Sequence, residues 1–199
     1  MKNTRTRFIV IAALVAAFYA LLTYLSLAFN LAYGPVQFRL SEALTLLPVV
    51  SGAAVPGLAV GCLLGNLTSP YGLVDIVCGT CASLLAAVGA RLFARVRLRG
   101  IPVVSLLMPI VCNAVVVGAE ITFLAPEGFA LPAFLSAAAS VAAGEAAVVV
   151  LLGLPLLGLE GKRVVADALE CGFVLNCAGG NTLRFVPPLI LERADVDRL

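Results

Sequence analysis

The sequence contains no histidine and no tryptophan, and only 12% of its 199 residues are charged. Without histidine, imidazole catalysis and His-ligated metal are excluded. Without tryptophan, one common anchor at the membrane–water interface is missing. No GxxxxGK[ST] loop is present, so the chain has no P-loop with which to hydrolyse ATP, and energy for any work comes from elsewhere. The 13 Lys plus Arg against 11 Asp plus Glu leave a net charge of +2, too small an excess to point to nucleic acid as a partner. What the chain has is apolar: 62% hydrophobic residues and a mean hydropathy of +1.10 lie far outside the range of water-soluble domains and indicate an integral membrane protein.

Of the six cysteines, Cys62, Cys78, Cys81 and Cys112 lie inside apolar runs, where Cys behaves as a small hydrophobe; Cys171 and Cys177 fall in the polar C-terminal stretch. Cys78-Gly-Thr-Cys81 has redox or metal spacing, but no second CxxC or His completes a site, so packing is the expected role and neither metal nor cofactor is expected. Met1 to Arg7 is basic and leads into an apolar run too long for a signal peptide, without a clean cleavage site, so it is expected to begin a retained first helix.

Apolar segments run from Phe8 to Phe29, Ser41 to Leu67, Leu73 to Phe93, Ile101 to Leu124 and Leu131 to Leu159; about 20 residues cross a bilayer as a helix. Basic residues cluster at Lys2, Arg5 and Arg7, at Arg91, Arg95, Arg97 and Arg99, and at Lys162 and Arg163, with only Arg39 between the first two clusters. If all three clusters face the cytoplasm, an even number of crossings separates each pair. Three segments before Arg91 break that parity. Dividing Ser41 to Leu67 at Pro48, Ser51-Gly52 and Pro56-Gly57 restores it, with short, tilted or partial helices near Ser41 to Val50 and Val55 to Leu67. The expectation is an all-α bundle of six transmembrane helices in residues 1–160, both termini cytoplasmic, with loops Leu31 to Leu40, Thr68 to Gly72 and Ala125 to Ala130 outside. A single kinked helix with a reversed basic loop is the alternative.

Carboxylates inside spanning helices cost roughly 2.5 to 3.5 kcal/mol at the centre and are functional candidates by default. Glu42, Asp75, Glu120 and Glu145 qualify. The six-helix topology brings Arg39, Glu42, Asn66, Asp75 and Glu120 to one outer layer, with Asn113 and Glu145 nearer the midplane, as in a cavity opening outward. Structural alternatives are an i,i+3 bridge between Arg39 and Glu42 and a helix cap at Asp75. Glu120 and Glu145 have no basic residue between Gly100 and Glu160, so each is protonated, paired with Arg39 or matched by a ligand. Such an acid-rich cavity favours a cationic or N–H-rich solute. Tyr33, Phe38 and Tyr71 offer stacking surfaces for a planar heterocycle, or serve as interfacial anchors. Ala12, Ala16 and Ala20 form a small-residue stripe on the first helix, beside Ala13 and Ala17, suited either to docking a partner or to packing within the bundle.

The run Gly34-Pro-Val-Gln-Phe-Arg-Leu-Ser-Glu-Ala-Leu44 with Leu47-Pro48, Gly65-Asn-Leu-Thr-Ser-Pro70 and Asp75-Ile-Val-Cys-Gly79 resembles the QueT family, substrate-binding S components of energy-coupling factor (ECF) transporters. The resemblance covers about Arg7 to Leu159. It implies a bacterial cell-membrane protein of six helices that is not an enzyme and takes up queuosine precursors such as preQ0, preQ1 or queuine. It further implies energy supplied by a transmembrane coupling protein and two ATPase subunits, with docking through small residues of the first helix. A 7-deazaguanine then has its N1–H and 2-amino edge on Glu42 or Asp75, an aminomethyl cation on a second carboxylate, and its carbonyl on Arg39 or Asn66. A self-sufficient proton-coupled carrier using Glu120 or Glu145 is the competing class. Residues 161–199 depart from this pattern. Cys171 to Ile190 is similar to the C-terminal end of acetylornithine-type, pyridoxal-phosphate-dependent aminotransferases, in which the residue matching Arg184 binds a substrate carboxylate. The stretch lacks the Schiff-base lysine and is too short to bury a core, so a polar, weakly packed cytoplasmic tail without transaminase function is expected.

Overall fold

The computed structural model describes residues 4–31, 37–126 and 128–158, together with the backbone of 176–178 and 182–184. The chain forms two units, Met1–Leu157 and Gly158–Leu199. Helix α1 covers Thr4–Ala28, 25 residues without Gly or Pro. At 1.5 Å per residue it is about 37 Å long, more than the roughly 30 Å of a bilayer's hydrocarbon core. The second apolar run is divided, as its Pro and Gly residues predict. Leu40–Val49 is a 3-10 helix (η1) containing Pro48, and α2, Ala54–Gly65, follows a break that holds Ser51-Gly52. A 3-10 turn, Asn66–Thr68, then leads into α3, Leu73–Leu92. Helix α4 is Val103–Leu124, and α5, Leu131–Val148, continues through a π-helical turn at Val149–Gly153 into α6, Leu154–Gly158.

Among the described residues, four helical stretches are long and apolar enough to cross a membrane: Thr4–Ala28, Leu73–Leu92, Val103–Leu124 and Leu131–Gly158. The two short apolar helices, η1 and α2, lie among them and pack on α1 and α3. Burial is inverted relative to a soluble domain. Phe18, Leu21, Leu73, Leu85 and Phe123 are exposed while Arg39, Glu42, Asn66, Asp75 and Glu145 are buried, as expected where lipid surrounds the bundle and polar groups turn inward.

Small residues let the helices close together. A Cβ on Gly61 of α2 would lie 2.7 Å from Tyr19 Cβ and 2.9 Å from the Ala16 carbonyl oxygen, and one on Gly57 would lie 2.7 Å from the Ala12 carbonyl oxygen. Ala16 and Ala20 are buried. Ala16 and Ala20 of the small-residue stripe thus pack within this chain, one of the two roles expected for it, whereas Ala13 and Ala17 are exposed. Tyr19 of α1, Leu58 and Cys62 of α2 and Ala87 of α3 form a buried cluster where the three helices meet.

In the second unit, β1 (Asn176–Ala178) pairs antiparallel with β2 (Thr182–Arg184), Cys177 opposite Leu183. The all-α expectation therefore holds for the first unit, while the second carries this strand pair, joined by Gly-Gly-Asn. The remaining expectations for 161–199 lie outside the described residues.

Candidate functional site

Two buried polar clusters meet where η1, α3, α4 and α5 converge. The first is built on α3. Gly72 takes φ 64° and ψ −139°, backbone geometry tolerated by little besides glycine, and turns the chain into the helix. Asp75, the third residue of α3, is thereby aimed inward; its carboxylate lies 3.6 Å from the Arg39 guanidinium. Asn66, at the end of α2, accepts a hydrogen bond from Arg39 Nη1 at 3.3 Å and donates to the Asp75 carbonyl at 3.1 Å and to Asp75 Oδ1 at 3.5 Å. One turn after Asp75, Gly79 leaves the space the Asn66 amide occupies, where a Cβ would collide with it. This accounts for the glycine within Cys78-Gly79-Thr80-Cys81, whose cysteines are free thiols. The expected alternative, Asp75 as a cap, is corrected: the N-cap is Gly72, and the Asp75 side chain pairs with Arg39.

The second cluster centres on Glu42 in η1. The Tyr19 hydroxyl donates to Glu42 Oε1 across the α1–η1 contact, and Glu145 of α5 and Asn113 of α4 are neighbours of the same carboxyl group. Glu42 and Glu145 are 3% and 6% exposed, so neither charge is dispersed by bulk water. Two adjacent carboxylates repel each other, and a shared proton or a donor placed between them relieves that repulsion. Glu42 Oε2 and Glu145 Oε1 are buried without a hydrogen-bond partner among the described residues.

A narrow cleft joins the clusters, lined by Gln37, Arg39, Glu42, Ser83, Asn113 and Glu145, with Gly79, Val117 and Val141 between them. Of the residues singled out from the sequence, Arg39, Glu42, Asn113 and Glu145 line it. Asn66 and Asp75 are not lining residues; they hold Arg39 from behind. Glu120 is buried off the cleft, within range of the charges of Asp75 and Arg39, and both its carboxylate oxygens lack a hydrogen bond among the described residues. Phe38 and Tyr71 are exposed and outside the lining, and Tyr33 lies outside the described residues.

Tyr19, Gln37, Ser83, Val117 and Val141 were not singled out from the sequence. Helical spacing carries a signal for some: Ser83 is eight residues from Asp75, Val117 four from Asn113 and Val141 four from Glu145, so each continues a face already marked by a polar residue. No group of three or more His, Cys, Asp or Glu among the described residues is arranged to hold a metal ion.

Apolar helices around a buried, hydrogen-bonding cleft define a multi-pass membrane protein. The family model described as "QueT transporter" matches residues 9–160, most of the chain, and the chain belongs to that family. Among curated proteins, the queuosine precursor transporter QueT of Lactococcus lactis subsp. cremoris (strain MG1363) is 34% identical over 96 residues, 48% of this chain and 56% of the relative. The chain thus spans about half the length of that relative. Two acetylornithine aminotransferases also match: that of Aquifex aeolicus (strain VF5), 47% identical over 47 residues, and that of Methanocaldococcus jannaschii (strain ATCC 43067 / DSM 2661 / JAL-1 / JCM 10045 / NBRC 100440), 44% identical over 43 residues. Each alignment takes 22% of this chain, and 12% and 11% of the respective enzyme. No solved structure matches the chain.

Proposed function

We propose that this protein is the membrane substrate-binding subunit of a transporter for queuosine precursors, binding a 7-deazaguanine in the cleft and depending on separate coupling and ATPase subunits for uptake. The single observation that carries this reading is the pair of buried carboxylate oxygens, Glu42 Oε2 and Glu145 Oε1, that have no hydrogen-bond partner among the described residues and belong to residues lining the cleft. A guanine-like edge presents adjacent N–H donors, and an aminomethyl group adds a cation; both match carboxylates. Arg39, held by Asp75 and Asn66, is the donor for a ring carbonyl, and Asn113 supplies both a donor and an acceptor. Asp75 is assigned to positioning Arg39, since its carboxylate already faces that guanidinium.

In this reading η1 and α2 complete six passes with the four long helices, and the basic clusters, including both termini, face the cytoplasm. A coupling protein docks on the exposed face of α1 near Ala13 and Ala17, because the neighbouring Ala16 and Ala20 are already covered. Residues 161–199 form a cytoplasmic tail that takes no part in binding.

Purified protein in detergent is expected to bind preQ1 or queuine saturably, while proteoliposomes holding this chain alone accumulate none. Absence of binding to any 7-deazaguanine would refute the proposal. A second reading, a self-sufficient proton-coupled carrier, is favoured by one feature: the buried Glu120 carboxylate, which has no hydrogen bond among the described residues and lies within range of the charges of Asp75 and Arg39. Uptake by the chain alone, driven by a pH gradient and lost in Glu120→Gln, would establish that reading over the first.

A further inference from the structure

Asp75 and Arg91 stand 16 residues apart on α3, about 24 Å along the helix, so Arg91 lies at the end of the bundle remote from the Arg39–Asp75 pair. There Arg91, Arg95 and Arg97 line a groove with Val49, Leu92 and Ala94. Arg91 is anchored: its Nη1 donates to the Pro48 carbonyl at 3.2 Å and the Val49 carbonyl at 3.4 Å, at the C-terminal end of η1. Arg95 and Arg97 are exposed and make no hydrogen bond or ion pair among the described residues. No Asp or Glu occurs before Glu42, between Glu42 and Asp75, or between Asp75 and Glu120, so the stretches 1–41, 43–74 and 76–119 contribute no counter-charge here. Arg7 adds to the same end, lining a neighbouring groove with Val50, Ser51, Gly52 and Ala53.

The arginine groove also has an apolar continuation. Leu92, Val88 and Leu85, at helical spacing along α3, are 73%, 40% and 58% exposed and lead from the groove toward the middle of the helix. Its complement is therefore an amphiphile with an anionic head and a hydrocarbon body parallel to α3. A soluble anion matches the arginines and leaves the leucine stripe unused.

We propose that this groove binds one anionic phospholipid, with the headgroup phosphate between Arg95 and Arg97 and an acyl chain along Leu92, Val88 and Leu85. Arg91 joins the groove to η1, the element that carries Glu42, so the lipid braces one end of the helix whose other end lines the cleft. Each arginine near an anionic headgroup contributes about a fivefold gain in affinity.

The test is native mass spectrometry of the full chain, exchanged from detergent into mixtures of phosphatidylglycerol and phosphatidylcholine. The wild type is expected to retain one phosphatidylglycerol in preference to phosphatidylcholine. Arg95→Gln with Arg97→Gln should weaken retention about 25-fold. Arg95→Lys with Arg97→Lys should keep most of it, and Arg5→Gln with Arg99→Gln, the same loss of charge elsewhere, should leave it unchanged. Equal retention of the two lipids by the wild type, or equal weakening by the Arg5/Arg99 and Arg95/Arg97 pairs, would overturn the proposal.

Discussion

Asp75 is 1% exposed and Glu145 6% exposed, and each places a carboxylate where burial disfavours charge; what differs is the counter-charge. Asp75 faces Arg39 at 3.6 Å, whereas Glu145 faces another carboxylate, Glu42. Substitutions at the two sites therefore diverge. Asp75→Asn leaves a buried guanidinium short of its partner and is expected to cost about 3 to 5 kcal/mol, visible as a lower unfolding temperature in detergent. Glu145→Gln removes a repulsion, so the unfolding temperature stays the same or rises while ligand affinity falls. Tyr19→Phe removes the donor to Glu42 Oε1 and should cost about 1 to 3 kcal/mol in stability, with weaker binding measured by calorimetry. If Asp75→Asn and Glu145→Gln shift the unfolding temperature equally, the division between a positioning pair and a ligand-facing pair is wrong.

Among the elements, η1 is unusual, since 3-10 helices seldom exceed a few residues and this one has ten. It is held from several sides. Ser26 Oγ accepts the Leu40 amide at 2.9 Å, Arg91 caps its far end, and Gly153 in the π-helical turn leaves room beside the Ala43 carbonyl. The geometry of Glu42 thus depends on how closely α1, α2 and η1 pack. Gly61→Ala places a Cβ against Tyr19 and the Ala16 carbonyl, and overpacking of this kind costs about 1 to 3 kcal/mol. The expected result is a lower unfolding temperature together with weaker binding, because Tyr19 moves relative to Glu42. Gly158→Ala, where a Cβ meets nothing within 4 Å, should change neither.

Much of this arrangement was legible in the sequence because hydropathy and helix-breaking residues act locally. The five apolar runs, the break near Ser51-Gly52 and the intramembrane carboxylates are all read from neighbours along the chain. Tyr19 was not, since an aromatic in an apolar run looks the same whether it faces lipid or a buried carboxylate. The role of the alanine stripe was undecidable for a similar reason: only the position of α2 glycines against it shows which surface covers it. Glu120 shares a helix face with Asn113 seven residues away, but two turns, about 10 Å, carry it past the cleft; the topology gave that difference in depth, and what it did not give is how far the cleft extends along α4.

At the scale of the whole molecule, the family match ends at residue 160 and the first compact unit at Leu157. A chain ending after residue 160 is expected to bind its ligand as the full chain does, checked by equilibrium binding in detergent; a loss of more than tenfold would give the tail a part in the site. The distribution of charge also divides the molecule. Glu42, Glu145 and Arg39 line one cleft, while Arg91, Arg95 and Arg97 line a groove at the far end of α3 from Asp75. Cysteine labelling in intact cells at a residue introduced in the 94–100 loop is expected to report the cytoplasmic side, and labelling from outside would reverse the topology.

The central claim is that Glu42 and Glu145 together receive the donor groups of a 7-deazaguanine. It is tested most directly by calorimetric titration of preQ1 into purified wild type, Glu42→Gln and Glu145→Gln, with unfolding temperatures measured alongside. The account predicts at least about tenfold weaker binding in each variant, as loss of a charged hydrogen bond requires, with Glu145→Gln no less stable than the wild type. Wild-type affinity in both folded variants would contradict it.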